Sequence, residues 1–428
     1  MMTERLKTAL IILLSTVLAV LLLAFFAVTA VSEALSAEDI IFEFFRHGEE
    51  TETALKSSED AAISTPCQIA LLQGGGKLYS PTRANDFYNV YRLTTRITDE
   101  ALGSAMGMKA LSEVDFLPLF VNTGVLYKYD NALPVALLFP EAAERFADTD
   151  ILVKTLLVCL EGDNVLLVLT DTDGKHYSFS TMSDAAYLQQ LCSDFGENGV
   201  ISAITTTPNV AYDSILINDT FTMPSYSSII GTGGSEVFDA VMTALGMNPY
   251  LSSVYRDGEN TIYMEDIHRV ILHHSDGHLS YSAAEDGAGL SLNIDPSFDG
   301  TEQFYAICTK SSAIVFDLWH QLSDEKVSLC YAYSEQTEDG YILYYEAYIG
   351  GCFVNTKEHS AAAVSVSNGK ITGISLHPLR IAAGKDIVLL PFKQAAATAE
   401  SGNYIAVQYE VSGGTLTPVT VCVKEENR

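Results

Sequence analysis

The feature that most limits what this 428-residue chain can become is an uninterrupted apolar run near its start, Ala9 to Val31, ALIILLSTVLAVLLLAFFAVTAV. It carries no charge, and its only polar residues are Ser15, Thr16 and Thr29. As a helix rising 1.5 Å per residue it reaches roughly 35 Å, enough to cross the hydrocarbon core of a bilayer. The run therefore predicts one transmembrane helix over 9–32, behind a short cytoplasmic tail at 1–8. Arg5 and Lys7 precede it, while Glu33, Glu38 and Asp39 come after. By the positive-inside rule the N-terminus stays in the cytoplasm and everything after about residue 32 is exported, giving a single-pass protein of the cell membrane. The competing reading is a cleaved signal peptide, with Ala34 and Ser36 as the small residues of its cleavage site. Signal h-regions run to roughly 7–15 residues, so the greater length here favours an anchor that stays in place.

The chain beyond the anchor is long enough to bury a core without disulfide staples. Asp and Glu number 54 against 24 Lys and Arg, and a net charge of −30 argues against nucleic acid and against anionic lipid headgroups as partners. The seven cysteines have no CxxC spacing, and most lie in apolar runs such as LLVCL and VTVCV. They read as small buried hydrophobes, and an odd count fits an exported protein that does not depend on disulfides.

Residues 33–65 are polar and acidic around a short apolar island, as in a stalk, and a globular pattern begins at Pro66. An N-terminal α+β domain is expected over 66–220. CQIALLQ, the Gly74–Gly76 turn and KLYSP predict a hairpin; Asp86 to Leu102 has the spacing of an amphipathic helix and closes at Gly103. VDFLPLFV, PVALLF and ILVKTLLVCL are apolar runs expected as strands. The last pairs with NVLLVLTD and KHYSFS across turns at Gly162 to Asn164 and Asp173-Gly174. Ser183 to Phe195 predicts a second helix.

The remainder reads as a degenerate internal repeat. SEVFDAVMTALGM at 235–247 is an amphipathic helix, succeeded by a Tyr-rich strand, a turn at Asp257-Gly258, NTIYMED, RVILHH, a turn at Asp276-Gly277, and HLSYSA. SSAIVFDLWHQLS at 311–323 is succeeded by VSLCYAYSEQ, a turn at Asp339-Gly340, YILYYEAYIGG, AAAVSVS, a turn at Asn368-Gly369, and KITGISLHPL. Val-Phe-Asp recurs at 237–239 and 315–317. Two related helix-on-sheet modules are expected, one at 221–298 and one at 299–428, each laying a helix on about four antiparallel strands. The tail from Ile387 adds a helix and a closing hairpin. The fold class is thus α+β with mostly antiparallel sheet.

Three passages carry a family resemblance: PCQIALLQGGGKLYSP at 66–81, GMNPYLSSVYRDGENTIYMEDIHRVILHHSDGHLSY at 246–281, and IVLLPFKQAAATAESGNYIAVQYEVSGGTLTPVTVCV at 387–423. In the middle one, Asn-Pro at the helix exit, Tyr before a DG turn, Tyr263 to Glu265, and the Asp276 to Tyr281 pattern occur in an order that resembles divergent clostridial YycH-type proteins. The anchor and the three-part layout resemble the YycH/YycI family as well. That resemblance implies an ectodomain of PepSY-like α+β folds. It also implies the role of an accessory regulator of an essential cell-wall two-component system in Gram-positive bacteria, touching a sensor histidine kinase through the transmembrane helix and the ectodomain. A homologous accessory protein is a second implied partner. It brings no catalytic residues.

No chemistry-bearing constellation competes strongly. His268, His273, His274 and His278 lie within eleven residues, but alternation sends His273 and His274 to opposite faces and leaves His274 with His278, so exposed sheet histidines are expected rather than a zinc site. Asp171 to Gly174 lacks the third acidic position and terminal Glu of a calcium loop and reads as a turn. Gly231, Gly233 and Gly234 precede a helix, but no P-loop lysine comes after them, so they read as a flexible domain junction. There is no GxSxG elbow, and paired carboxylates are not decidable from sequence. No cofactor, no metal and no enzyme activity are expected. The candidate contact residues are Ser15 and Ala19, a small-xxx-small step on the anchor, and Tyr344 and Tyr348. Alternation places these two tyrosines on one face of a Tyr-rich strand with Ile342 and Glu346, opposite Tyr341 and Tyr345. The leading expectation is a regulatory protein working by protein contact; the alternative is an anchored cell-envelope binding module or hydrolase, marked by a deep pocket with perturbed titratable groups.

Overall fold

Apolar runs with no alternation suit strands buried on both faces, and the N-terminal sheet is built that way. The computed structural model describes residues 63–424 apart from 82, 147–148, 199, 203–214, 218–221, 230–234, 285–287, 358, 391–393, 396 and 398–402. These residues fall within one compact unit, Asp60–Arg428. Strands β1 (Gln68–Gln73), β2 (Leu78–Tyr79), β3 (Met106–Leu111), β4 (Thr123–Pro134), β5 (Leu152–Glu161), β6 (Asn164–Thr170) and β7 (His176–Ser180) form an antiparallel sheet of seven strands in the order β2-β1-β4-β5-β6-β7-β3. One face is covered by helix α1 (Ala84–Ser104), whose buried Phe87, Val90, Thr94, Ile97, Ala101 and Leu102 recur at helical spacing, and by helix α2 (Ala185–Ser193). Asp184, not Ser183, caps α2, accepting from the backbone N–H groups of Ala186 and Tyr187. The other face packs on Phe116, Leu119 and Phe120. A short separate ribbon, β8 (Val200–Ser202) with β9 (Ile215–Ile217), comes next in the chain.

Phe116, Leu119 and Phe120 correct the sequence reading, because VDFLPLFV is not a strand. It forms a helical turn at Glu113–Phe116 and a tighter turn at Leu117–Val121. Ser112 caps the first turn, and Pro118, which has no N–H to give a ladder, sits where a helix start tolerates it. PVALLF likewise holds a helical turn at Val135–Leu138, directly after Pro134. Short apolar runs carry no period that separates the two outcomes.

In the rest of the chain the expected order of elements is present, but the two modules do not keep separate sheets. Strand β10 (Thr222–Ser228) leads to helix α3 (Ser235–Ala244) and a meander of β11 (Ser253–Asp257), β12 (Asn260–Glu265), β13 (His268–His273) and β14 (Leu279–Ala283). After the short β15 (Leu290–Ser291), helix α4 (Gly300–Leu322) leads to β16 (Val327–Gln336), β17 (Gly340–Ile349), β18 (Cys352–Asn355), β19 (Ala362–Ser367) and β20 (Lys370–Leu376). The last strands of the two meanders pair antiparallel, Leu279 with Leu376 and Tyr281 with Ile374. The result is the continuous order β11-β12-β13-β14-β20-β19-β17, with β16 on the outer side of β17 and β15 beside the start of β20. Joining last strand to last strand relates the two modules by an approximate two-fold rotation normal to the sheet, and α3 and α4 pack together on the same face. The sheet continues past β17 through β18, β22 (Asn403–Ser412), β23 (Thr415–Lys424) and β10 to β21 (Ile381–Val388), fourteen strands in all. β18 runs parallel to β22.

α4 begins at Gly300, well before Ser311, where the sequence pattern placed its start. Thr309 to Ser312 looks like a polar break, yet Ser311 and Ser312 are fully buried, their small side chains letting the helix lie close on the sheet. The Ser312 and Tyr345 hydroxyls lie 3.1 Å apart. Trp319, 1% exposed, donates its indole N–H to the Val327 carbonyl at 2.7 Å, pinning the helix end to β16.

The stalk reading also shortens. Ile63 is buried, donates to the Leu137 carbonyl and accepts from the Tyr331 N–H at 2.8 Å, so the segment at 63–65 belongs to the folded body along the outer edge of β16. Close by, the N-terminal sheet and α1 meet the hairpin between β17 and β18. A Cβ on Gly351 would lie 2.5 Å from the Cys67 carbonyl oxygen and 2.6 Å from the Phe87 ring, and φ there is +81°. The Tyr88 hydroxyl donates to the Lys326 carbonyl at 3.1 Å. The Ala9 to Val31 run, and with it Ser15 and Ala19, lies outside the described residues. Among the described residues no helix is long and apolar enough to cross a membrane.

Candidate functional site

With α3 and α4 both on one face, alternation along β14, β20, β19 and β17 sends a second set of side chains to the other. Leu279, Tyr281, Ile374, Leu376, Val364, Leu343 and Tyr345 are buried under the helices. Between them in sequence, Ser280, Ser375, Ala363 and Tyr344 align across the sheet, because Ser280 pairs with Ser375, Ser375 with Ala363, and Ala363 with Tyr344. The middle of this open face is therefore a floor of small, mostly hydroxyl-bearing residues. Two side-chain clusters beside it hold the unusual chemistry.

One cluster is aromatic and acidic. Tyr344 is half-buried and stacks on Tyr333 at 4.6 Å between ring centroids, and its hydroxyl donates to Glu335 at 3.2 Å. Tyr333 is 48% exposed, so the pair presents a wet aromatic edge. Glu346, two residues along the same face, accepts from the Ser360 hydroxyl at 3.1 Å. Burial pushes its carboxyl up to about 7, which the Ser360 bond opposes. Tyr348 does not join this surface. It is 5% exposed and packs on Phe353, its cross-strand partner in β18. Of the two tyrosines expected on the contact face, only Tyr344 is presented.

Alongside the floor runs a column of four imidazoles. His273 stacks on His278 at 4.9 Å, His278 on His377 at 4.3 Å, and His377 on His359 at 3.7 Å, with ring planes within 18° of parallel. The sequence pattern paired His278 with His274; the structure pairs it with His273. The two flank the turn at 274–277, where the His273 N–H bonds to the His278 carbonyl, so they stand opposite each other on one face. His274 instead lies against the Thr261 hydroxyl and His268 against the Tyr281 hydroxyl, each at 2.8 Å. His359 and His377 come from a loop and a strand end about a hundred residues away, and nothing near them in the sequence marks them.

Parallel rings direct their nitrogens sideways rather than at one centre, and among the described residues no group of three or more His, Cys, Asp or Glu is placed to hold a metal. The arrangement tunes protonation instead. Burial pushes His377 down to about 4, helped by His359 and His278 and opposed by Asp276. Burial likewise lowers His278, with His273 and His359 adding to it, and its Nε2 sits 2.9 Å from the Ser375 hydroxyl. The column's inner rings are neutral near pH 7. Ser360 directly succeeds His359 in the chain, so its bond to Glu346 ties the column to the aromatic cluster.

Two clefts lie elsewhere. One of about 300 Å³ sits between α1 and the turns at 138–142, lined by Tyr91, Thr95, Asp99, Tyr127, Phe139 and Glu141 among others. Asp99 is exposed, and the partial desolvation of its carboxyl in the cleft raises it to about 6, with Glu141 adding like-charge repulsion. The other, of about 470 Å³, opens beside Glu113, Lys175, His176 and Tyr177. His176 is occupied there by a stack on Phe116 at 3.6 Å and by the Thr170 hydroxyl at 2.9 Å. Asp171 to Gly174 is a turn, with Asp171 accepting from the N–H groups of Asp173 and Lys175. Gly231, Gly233 and Gly234 lie outside the described residues. Four of the cysteines, Cys159, Cys192, Cys308 and Cys330, are buried.

No family model matches the sequence, and no curated protein matches it. Among solved structures the chain is similar to the crystal structure of YycH from Bacillus subtilis, with a TM-score of 0.55 at 13% identity over 85% of this chain and 94% of that one. An uncharacterized protein from Eubacterium rectale aligns with a TM-score of 0.26 at 11% identity over 47% of this chain and 77% of that one, too loose a likeness to argue from. What is shared with YycH, at this identity, is the fold.

Proposed function

We propose that this protein is a membrane-anchored, extracytoplasmic accessory regulator of YycH type, which modulates a cell-wall-responsive sensor histidine kinase by protein contact. The observation that carries the reading is the fold shared with YycH across nearly the whole of both chains. The Ala9 to Val31 run supplies the anchor, with Ser15 and Ala19 as its close-packing step. The open sheet face supplies the outer contact. A floor of small residues edged by a stacked tyrosine pair suits a protein partner, for which tyrosine is a favoured contact. The partners are a sensor histidine kinase and a homologous accessory protein. The test is a photo-reactive residue at Tyr344 of the full chain in native membranes. Capture of a histidine kinase or a second accessory protein supports the proposal, and labelling of neither removes the face from it.

One observation favours the alternative of an anchored binding module or hydrolase. The α1 cleft holds Asp99, raised to about 6, beside Glu141, and a carboxyl shifted towards neutrality is a candidate acid–base group. If that reading were right, Asp99→Asn would abolish binding or turnover of an envelope glycan while leaving kinase output unchanged.

A further inference from the structure

Sheets that end in water need their edges blunted, and among the described residues the edges of the large sheet differ in how far this is done. β16, which by the internal two-fold is the counterpart of β11, is covered by the extended segment at 63–65, through the bond from the Tyr331 N–H to the Ile63 carbonyl. β21 carries Lys385 and Asp386 and pairs with β10 through a bulge. β11 carries Arg256 and Asp257, but among the described residues it has neither a bulge nor a covering segment. It pairs only with β12, and all five of its residues, SVYRD, are exposed. Tyr250 (91%) and Leu251 (72%) in the turn before it, and Val254 (54%) and Tyr255 (45%) within it on opposite faces, are exposed.

The backbone groups left open on this edge are fixed by the turns. Asp257 and Asn260 close the two-residue turn between β11 and β12, and Glu265 and His268 close the next. Closing pairs of such hairpins exchange both hydrogen bonds, so Ser253, Tyr255 and Asp257 face β12 with their N–H and C=O groups. Those of Val254 and Arg256 point outward, symmetric about Tyr255.

We infer that β11 is a self-association edge, at which two copies of this chain pair β11 to β11, antiparallel, about a two-fold axis at Tyr255. In that register Val254 of one copy exchanges both backbone bonds with Arg256 of the other, and Tyr255 faces Tyr255 in the closer, non-bonded pairing. Ser253 falls opposite Asp257. No like charges meet, which counts for a chain of net charge −30, because a random contact between two copies sets acid against acid. The chain already joins its own two modules in this manner, edge to edge through β14 and β20. The inference stands apart from any contact with a kinase, since it uses the opposite end of the sheet.

The test uses the full chain in membranes, with the exposed Cys422 replaced by serine. Tyr255→Cys places two thiols across the axis, where the Cα atoms of a non-bonded pair lie about 4.5 Å apart, within disulfide reach. Mild oxidation is expected to give a disulfide dimer for Tyr255→Cys and none for Thr337→Cys, in the exposed turn between β16 and β17 on the far side of the sheet. Val254→Pro removes the outward N–H without touching a bond to β12, so it is expected to abolish the dimer with circular dichroism unchanged. The inference is overturned if Tyr255→Cys yields no dimer or joins only a different protein, or if the dimer persists in Val254→Pro.

Discussion

Replacing His377 by Phe keeps a flat ring in the imidazole column and removes its proton site. In the folded protein His377 is held neutral, its ordinary value of 6.5 pushed down to about 4. Unfolding frees the ring to bind a proton. The stability gained from the neutral form is therefore complete above 6.5 and lost as pH falls towards 4. Each unit crossed costs about 1.4 kcal/mol, so moving from about pH 7.5 to about pH 5 takes at most ~2 kcal/mol, and partial exposure of the ring lowers this to about 1 kcal/mol. The protein has a single tryptophan, Trp319, fully buried where α4 meets β16. Its fluorescence reports urea unfolding directly. The wild type is expected to lose about 1 kcal/mol more than His377→Phe between the two pH values. Comparing the two proteins removes the carboxylates, whose titration they share. Equal losses would refute the argument that the column holds its inner ring neutral.

Glu346→Gln works in the opposite direction. A carboxyl raised to about 7 contributes stability that is full below 4.5 and lost as pH rises through 7, so the variant is expected to be the more stable above pH 7.5 by about 1 kcal/mol in the same unfolding assay. Gly351→Ala forces a Cβ against the Cys67 carbonyl and the Phe87 ring at a positive φ. A loss of about 2 kcal/mol or more is expected, read as a fall in thermal midpoint, and an unchanged midpoint would mean the two sheets do not depend on that approach. Asp184→Ala removes the cap of α2 and is expected to cost about 1 kcal/mol, measured by urea unfolding.

Long periodic elements were legible in the sequence. The α1 stripe, the hairpin turns at Gly162, Asp173-Gly174, Asp257-Gly258 and Asn368-Gly369, and the order of both meanders come from local rules of period and turn chemistry. The edge-to-edge fusion of the meanders was not legible, because the pairing of β14 with β20 joins residues about ninety-five apart in the chain. Strand pairs carry no sequence label for a distant partner. The same limit hid the imidazole column, half of which is local (His273, His278) and half remote (His359, His377). Alternation put Tyr344 and Glu346 on one face, as in the structure, but it could not tell that Tyr348 is buried beside Phe353 of β18. Ser311 and Ser312 hid the first half of α4 because small polar residues at a close helix–sheet contact look like a break.

The central claim, that this protein regulates a sensor histidine kinase by contact, is tested most directly by kinase output in cells. Phosphorylation of the kinase's response regulator would be measured with the full chain present, with it deleted, and with residues 9–32 replaced by an unrelated transmembrane helix. The account predicts a shift on deletion and an intermediate output with the exchanged anchor. Output unchanged in all three strains would contradict it.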